Sequence, residues 1–568
     1  MESRASTGKH RPWFERSPEL LAWELRRFDA WRFPYEIDED AKARGFLILR
    51  TEVPFAGEQR SVEVRYPAET PEFPPVVFDE PVLGRHQHPF HGNFCLLGRP
   101  EDDWPAASWG AADLIGYQLL ELLTDGEAGE ATVRANEEPM PEPYSAYYRY
   151  DHNAAILIPG NLASPAGQGG SLRVRRFRAR QFVLLAMDKD TGDPRLTDFL
   201  QLPGSRELTG RWIRLNTPPP AGPNARELLG WLREEHGELF PPPRPPRGKQ
   251  QGRDSGPDVV AIVFPEEALP DGTPRDGWLV VHRSGSGGTL LHAQVVSEEE
   301  RSRRIPELSE LPKRKVVVIG VGGLGGELAV QLARAGVGRL HLFDHDRFEA
   351  SNSVRHVLGV EMAGIDKSEG VADACRRANP LSEIAMEPGV HFGSVDPKSP
   401  TALERLEAAL EDADLVVETT GVNQIETLVS RVAWESDVPA VLCWLTDGAH
   451  AGHLVRLVAG RTACGKCFFT RERAGELLQG DADPTAVAFA QGCSHPTTTG
   501  ASFEHSELVA NTTRLCASML SEGAYPDPGW DHAVMNFRHD PRVAENRRFV
   551  AEDLPPTEDC ARCRPAAG

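Results

Sequence analysis

No apolar run in this 568-residue chain approaches the ~18 residues of a membrane-spanning helix, and the N-terminus, MESRASTGKHRPWFERSPE, lacks the apolar segment of a signal peptide. A cytoplasmic protein without membrane association is the expectation. Basic charge is scarce too. Its 62 Lys and Arg against 84 Asp and Glu leave a net charge of −22, the wrong sign for nucleic acid or an anionic lipid surface, which both need a basic face. Cysteine is limited to nine residues, which points to thiol chemistry or metal binding rather than to a disulfide framework. The length suffices for about two to four domains, each able to bury a core.

The chain is organised around the stretch from Arg314 to Lys367. A short apolar run, Val316 to Ile319, feeds a glycine turn (Gly320, Gly322, Gly323, Gly325, Gly326), followed by an amphipathic helix and a second strand that closes in Asp344. Glycines let a backbone approach a phosphate, a helix N-terminus offers free N–H groups, and an acid about 20 residues on can hold a ribose hydroxyl. Taken alone, GxGGxG after a strand suits an NAD-dependent enzyme as well. The stretch that begins at the acid favours ATP: Asp344, Asp346, Ser351, Asn352 and Arg355 in the pattern D-x-D-x-x-x-x-S-N-x-x-R, with Lys367 beyond, are polar and basic groups suited to a triphosphate. This segment resembles the ubiquitin-activating family, including its bacterial ThiF/MoeB-type relatives that adenylate sulfur carriers. The resemblance covers about residues 312–563. It implies a C-terminal Rossmann-like ThiF-type adenylation domain over 312–568 that binds ATP and Mg2+. The family usually carries a magnesium-binding aspartate near the end of the DLVVETT strand, where this chain has Gly421, so either Glu418 or Asp346 takes over part of that role or the activity is altered. The arginine that partner subunits contribute upstream of the glycine turn has no clear match, since Arg303 and Arg304 sit close to the turn.

Two C-x-x-C pairs, Cys464 with Cys467 and Cys560 with Cys563, supply the four thiolates of a tetrahedral structural Zn2+ site. A redox pair is the competing reading, but neither pair sits between a strand and a helix. Between them, Cys493 precedes a Pro-Thr-Thr-Thr-Gly turn and a helix whose dipole favours thiolate, with His495 close by. The segment resembles the catalytic-cysteine loop of the smaller homodimeric activating enzymes. Cys375, Cys443 and Cys516 lie in apolar contexts and read as core.

Residues 1–150 open with an amphipathic helix near Leu20 to Phe28. Strand-like alternation comes next in FLILRTEV and VEVRYP, then a proline-stiffened edge, a loop with His88, Pro89 and Cys95, then Trp104 and a helix over 112–123. That order resembles a ubiquitin-conjugating α+β fold with Cys95 as its catalytic thiol; a buried apolar cysteine is the plainer reading. The family's asparagine after His-Pro is Phe90 here, with Asn93 and His91 as candidate substitutes. Residues 151–311 hold strand candidates (FVLLAM, VVAIVF, GWLVVH), one helix (ARELLGWLREEHGEL) and two proline-rich breaks, and read as an α/β linker or docking domain without chemistry of its own.

The whole is therefore expected to be an α/β multidomain protein. The order resembles bacterial fusions of conjugating and activating domains encoded in antiphage (CBASS) operons beside cyclic-nucleotide synthases. That resemblance implies activation of a modifier protein's C-terminal carboxylate, capture on Cys493, transfer to Cys95 and conjugation to a target amine. The modifier would be a ubiquitin-like protein or the synthase itself, and a single adenylation domain per chain implies a homodimer. Two other readings stand beside it: a sulfur-carrier adenylating enzyme whose N-terminal domain recruits a partner, and a non-catalytic adaptor, for which Gly421 speaks.

Overall fold

In a computed structural model the chain is described over residues 11–55, 58–81, 83, 86–127, 141–239, 257–267, 274–284, 287–393, 401–488, 497–538 and 548–563. It divides into two compact units: residues 1–158, 162–191 and 204–294 form one, and 159–161, 192–203 and 295–568 the other. The boundary expected at residue 150 thus lies inside the first unit.

The first unit begins with helix α1 (Pro18–Trp31) and an antiparallel meander, β1 (Tyr35–Ile37), β2 (Ile48–Phe55), β3 (Glu58–Arg65) and β4 (Val76–Phe78), in that spatial order. Alternation puts Leu49, Val53, Val62, Val64 and Val77 on one face, where they bury against Phe28 and against Ile115 and Leu119 of α2. Helix α2 runs from Ala111–Leu114 through a π-turn, Ile115–Leu119, to Leu120–Glu127. Buried Asp113 ties the two helices by accepting from the Arg27 guanidinium and from Trp31 Nε1 at 2.8 Å. Trp104 Nε1 donates to the Pro71 carbonyl at 2.7 Å and pins the proline-rich edge.

Next along the chain come strands β5 (Ala155–Pro159), β6 (Gly169–Arg178), β7 (Gln181–Met187), β8 (Asp190–Thr191), β9 (Arg206–Arg214), β10 (Val259–Glu267), β11 (Pro274–Ser284) and β12 (Gly287–Val296). They form one sheet in the order β5-β12-β11-β10-β9-β6-β7-β8, and a further β5–β7 pairing closes it into a barrel. The only long helix in this region among the described residues is α3 (Ala225–Glu235), capped by the Asn224 side chain, which accepts from the Arg226 and Glu227 N–H groups. The segment expected as an α/β linker is therefore a β-barrel. Its strand candidates are right, but the pairing that makes the barrel is non-local and leaves no periodic mark on the sequence.

The second unit is built on an eight-stranded sheet, parallel from β15 (Glu383–Pro388) through β14 (Arg339–Asp344), β13 (Lys315–Ile319) and β16 (Leu415–Glu418) to β17 (Ala440–Leu445). Antiparallel β18 (Ala451–Leu457), β19 (His532–Asn536) and β20 (Phe549–Glu552) extend the edge in that order. Continuous apolar strands buried on both faces need helices on both sides. Val316 and Val318 pack under α4 (Gly323–Ala335), α5 (Lys367–Ala378) and α9 (Ser502–Leu520). Val317 and Ile319 pack under α6 (Ala402–Leu410), α7 (Asn423–Glu435) and α8 (Gly465–Arg473). Gly336, at φ 100, ends α4 in the left-handed conformation that glycine adopts without strain.

Candidate functional site

At the carboxyl ends of the parallel strands lies a cleft of about 410 Å3 lined by Gly320, Gly322, Gly323, Asp344, Asp346, Asn352, Arg355 and Lys367. Every residue assigned to nucleotide binding is there except Gly325, which works from beneath. A Cβ on Gly325 would stand 1.9 Å from the Gly320 carbonyl oxygen and 2.3 Å from Thr419 Oγ1, so its missing side chain lets the turn close. Helix α4 opens at Gly323, which leaves its unpaired first-turn N–H groups and positive dipole end at the cleft.

Asp344 braces the turn: its carboxylate accepts from Val321 N–H at 2.7 Å and Asp346 N–H at 2.8 Å. Burial pushes it above the usual carboxylate range. Lys367 Nζ lies 2.8 Å from Asp346 Oδ2. Burial alone would raise Asp346, but the Lys367 hydrogen bond and charge leave it below its ordinary range. Burial depresses the Arg355 guanidinium. His356 Nε2–H donates to the Val321 carbonyl at 2.8 Å, and burial pushes the ring down to about 4, so it serves as a neutral brace.

Two lining residues had no signal in the sequence. His505, on α9, packs over the glycine turn, where a Cβ on Gly323 would come 3.0 Å from its ring. Trp444, at the end of β17, also lines the cleft and stacks on buried His453 at 4.7 Å. Both arrive from chain more than a hundred residues beyond the glycine turn.

Asp344, His345 and Asp346 at the cleft have ligating atoms within 4.8 Å of one another, and of these the two carboxylates are the donors that suit a magnesium ion. Gly421 lines the cleft without a donor. Glu418, the other candidate raised for metal binding, does not line it: it is fully buried, with Oε1 accepting from Thr420 N–H at 2.8 Å and Oε2 unpartnered among the described residues. Burial, then the neighbouring Glu426, push Glu418 up to about 8. A carboxyl held uncharged is a poor magnesium ligand, and of the two candidates Glu418 and Asp346 the cleft is lined by Asp346. Arg303 is engaged on its own helix with Glu299 and Glu300.

Cys464, Cys467, Cys560 and Cys563 converge with all four sulfurs within 4.8 Å. The Cys464–Cys560 and Cys467–Cys563 sulfur separations are both 3.8 Å. Zn–S bonds of about 2.3 Å in a tetrahedron require sulfur edges of about 3.8 Å. The donor set fits a structural zinc ion with no position open.

Cys95 is exposed at the surface, but partial desolvation of its thiol, then the charge of Glu142, push it up. Phe90 packs edge-on against Tyr144 and Tyr148 at 5.9 and 5.3 Å, an anchoring role rather than that of a polar donor. His91 is exposed and 3.0 Å from Arg149. Cys493 and His495 lie outside the described residues. Just after them, Thr497–Thr498 pairs as a short strand with Val487–Ala488, where the sequence suggested only a turn. Cys375, Cys443 and Cys516 are buried, as expected.

Residues 294–525 match the ThiF family. The chain is 26% identical over 591 residues to "Uncharacterized protein y4oA" of Sinorhizobium fredii, with 97% of each chain covered. It is 28% identical over 188 residues to ubiquitin-like modifier-activating enzyme 5 of Caenorhabditis elegans, covering 31% of this chain and 44% of that protein. It is 46% identical over 104 residues to adenylyltransferase and sulfurtransferase MOCS3 of Mus musculus, covering 17% and 23%. The second unit thus carries a ThiF/MoeB-type adenylation domain, and the cleft lies within the matched residues.

Proposed function

We propose that this chain activates the C-terminal carboxylate of a modifier protein with ATP, captures it as a thioester on Cys493, passes it to Cys95 and joins it to an amine of a target, in the antiphage setting that the domain order resembles. The observation that carries the reading is the cleft that gathers Gly320, Gly322, Asp344, Asp346, Asn352, Arg355 and Lys367 around the N-terminus of α4. The modifier's carboxylate oxygen attacks the α-phosphorus of ATP, the bond to the bridging oxygen breaks, and pyrophosphate leaves. Arg355 and Lys367 stabilise the charge that develops there. Asp346, with Asp344, would hold a magnesium ion, which when bound neutralises phosphate charge. The Cys493 thiolate then attacks the acyl carbon of the adenylate and expels AMP. Cys95 takes the acyl group by thioester exchange, which keeps a poor electrophile activated at each step. The two thiols on one chain raise one another's effective concentration. A two-fold homodimer through the adenylation domain belongs to the same reading; a monomer in light scattering with adenylation intact would remove it.

The test is modifier-dependent exchange of labelled pyrophosphate into ATP, using candidate modifiers encoded beside the gene. Exchange supports the reading, and none with any candidate counts against it. The local 46% identity to an adenylyltransferase and sulfurtransferase favours a second reading, activation of a sulfur carrier. In that case Cys95→Ala changes nothing.

A further inference from the structure

The neighbourhood of Cys95 contains a half-buried carboxylate and imidazole, Glu142 and His86, to which the proposed reaction assigns no part. Gln87 and Phe94 pair antiparallel, and one step along the ladder Cys95 N–H donates to the His86 carbonyl at 2.8 Å, so His86 stands opposite the cysteine. His86 takes a left-handed φ of 58, uncommon for a residue with a side chain and a mark of a position held by its surroundings. Glu142 holds it. The His86 N–H donates to both Glu142 oxygens, at 2.8 and 3.1 Å, and Nδ1 lies 2.8 Å from Glu142 Oε1. Tyr147 hydroxyl donates to Oε2 at 3.2 Å.

Burial works against the Glu142 charge, but the hydrogen bonds from His86 hold it below its ordinary range. An ionised carboxylate at Nδ1 fixes the imidazole with its proton there and its lone pair on Nε2. That Nε2 is buried and has no partner among the described residues. The other imidazoles nearby are committed elsewhere. His88 Nδ1 accepts from the Phe90 and His91 N–H groups at 3.2 and 3.3 Å, its ring lies 4.9 Å from Tyr147, and His91 Nε2 meets Arg149. Cys95, with its thiol pushed up, is no preformed thiolate, and a thiol in that state needs a base to attack and a proton to leave.

We infer that Cys95, His86 and Glu142 form a thiol–imidazole–carboxylate relay, with His86 Nε2 carrying the proton and Glu142 positioning the ring. The inference rests on the reading of Cys95 as the acyl carrier. During loading the Cys95 S–H proton moves to Nε2 as sulfur attacks the donor thioester carbon; the donor C–S bond breaks and its sulfur takes that proton. During discharge a neutral amine attacks the Cys95 thioester carbon and the C–S bond breaks. The amine's proton then passes through Nε2 to the Cys95 sulfur, leaving an amide and a thiol. Nε2 and the sulfur are not hydrogen-bonded in this structure; the relay requires them to meet as the thiol attacks, since catalytic hydrogen bonds often tighten only in the reacting complex.

The test uses the full chain with His86→Asn, since asparagine tolerates the left-handed backbone, and with Glu142→Gln. Discharge of the Cys95 thioester is timed with lysine and with hydroxylamine, which needs no base at neutral pH. The relay requires His86→Asn to slow lysine discharge on the order of 10²-fold, Glu142→Gln to slow it less, and both to spare hydroxylamine discharge. Unchanged lysine discharge, or equal loss with both nucleophiles, overturns it. If wild type forms no Cys95 thioester, the functional reading fails separately. The relay is then read from iodoacetamide alkylation of the Cys95 peptide at neutral pH, which His86→Asn must slow several-fold and which equal rates would refute.

Discussion

Lys367 Nζ meets Asp346 Oδ2 at 2.8 Å while the Lys367 N–H donates to the Asp346 carbonyl at 2.9 Å, so one residue pair locks the rim of the cleft twice. In the proposed reaction the lysine exchanges this carboxylate for a phosphate. Lys367→Ala should therefore lower pyrophosphate exchange by at least about 10²-fold, as expected for a lost charge at a developing anion. The fold should persist, because the ion pair is half-exposed on its aspartate side. Exchange at the wild-type rate would remove Lys367 from the chemistry.

Two glycines of the turn should fail in opposite ways. A methyl at Gly325 collides with the Gly320 carbonyl and Thr419, so Gly325→Ala should cost about 1–3 kcal/mol of stability. A Cβ at Gly322 meets nothing within 4 Å. It projects from a residue lining the cleft, so Gly322→Ala should melt like wild type and bind ATP more weakly. Thermal melts with and without ATP read both, and a stable Gly325→Ala protein would contradict the packing argument.

The four-cysteine cluster should hold about one zinc per chain by elemental analysis. Cys464→Ser should lower both zinc content and melting temperature, because binding free energy at such a site is folding free energy. Stoichiometric zinc after mutation of either pair would refute the site.

Glu418 gives a pH-dependent stability. Its folded value of about 8 lies above the 4.5 of an exposed carboxyl. The stability it allows is thus fully present below about 4.5 and is lost as pH rises through about 8. Glu418→Gln keeps the uncharged shape. Relative to wild type it should gain stability between pH 5 and pH 9, by at most about 1.36 kcal/mol per pH unit. A difference that stays flat with pH would show that the carboxyl is ionised throughout.

The features legible in the sequence were those the chain keeps local. The strand, the glycine turn, Asp344, Asp346, Asn352, Arg355 and Lys367 fall within one stretch of chain, so their spacing largely dictates the cleft. The two C-x-x-C knuckles were legible as a four-thiol cluster because each pair is itself local. Trp444 and His505 reach the same cleft only through the sheet order and the packing of α9 on α4. His86 and Glu142 meet across a sequence separation of 56, with a strained backbone that no composition reveals. The barrel escaped for a similar reason: β5 pairs with β7 and neighbours β12, and such non-local ladders are set by tertiary context.

The relay order tests the central claim most directly. With ATP and modifier, Cys95→Ala should form a thiol-cleavable adduct at Cys493 and accumulate it, because the outlet is gone. Cys493→Ala should make adenylate but no thioester at all. Reducing and non-reducing gels with mass spectrometry of both cysteine peptides separate these products from an isopeptide bond, which survives thiol. Loading of Cys95 at the native rate in Cys493→Ala would contradict the account, since the modifier would then pass straight from adenylate to Cys95.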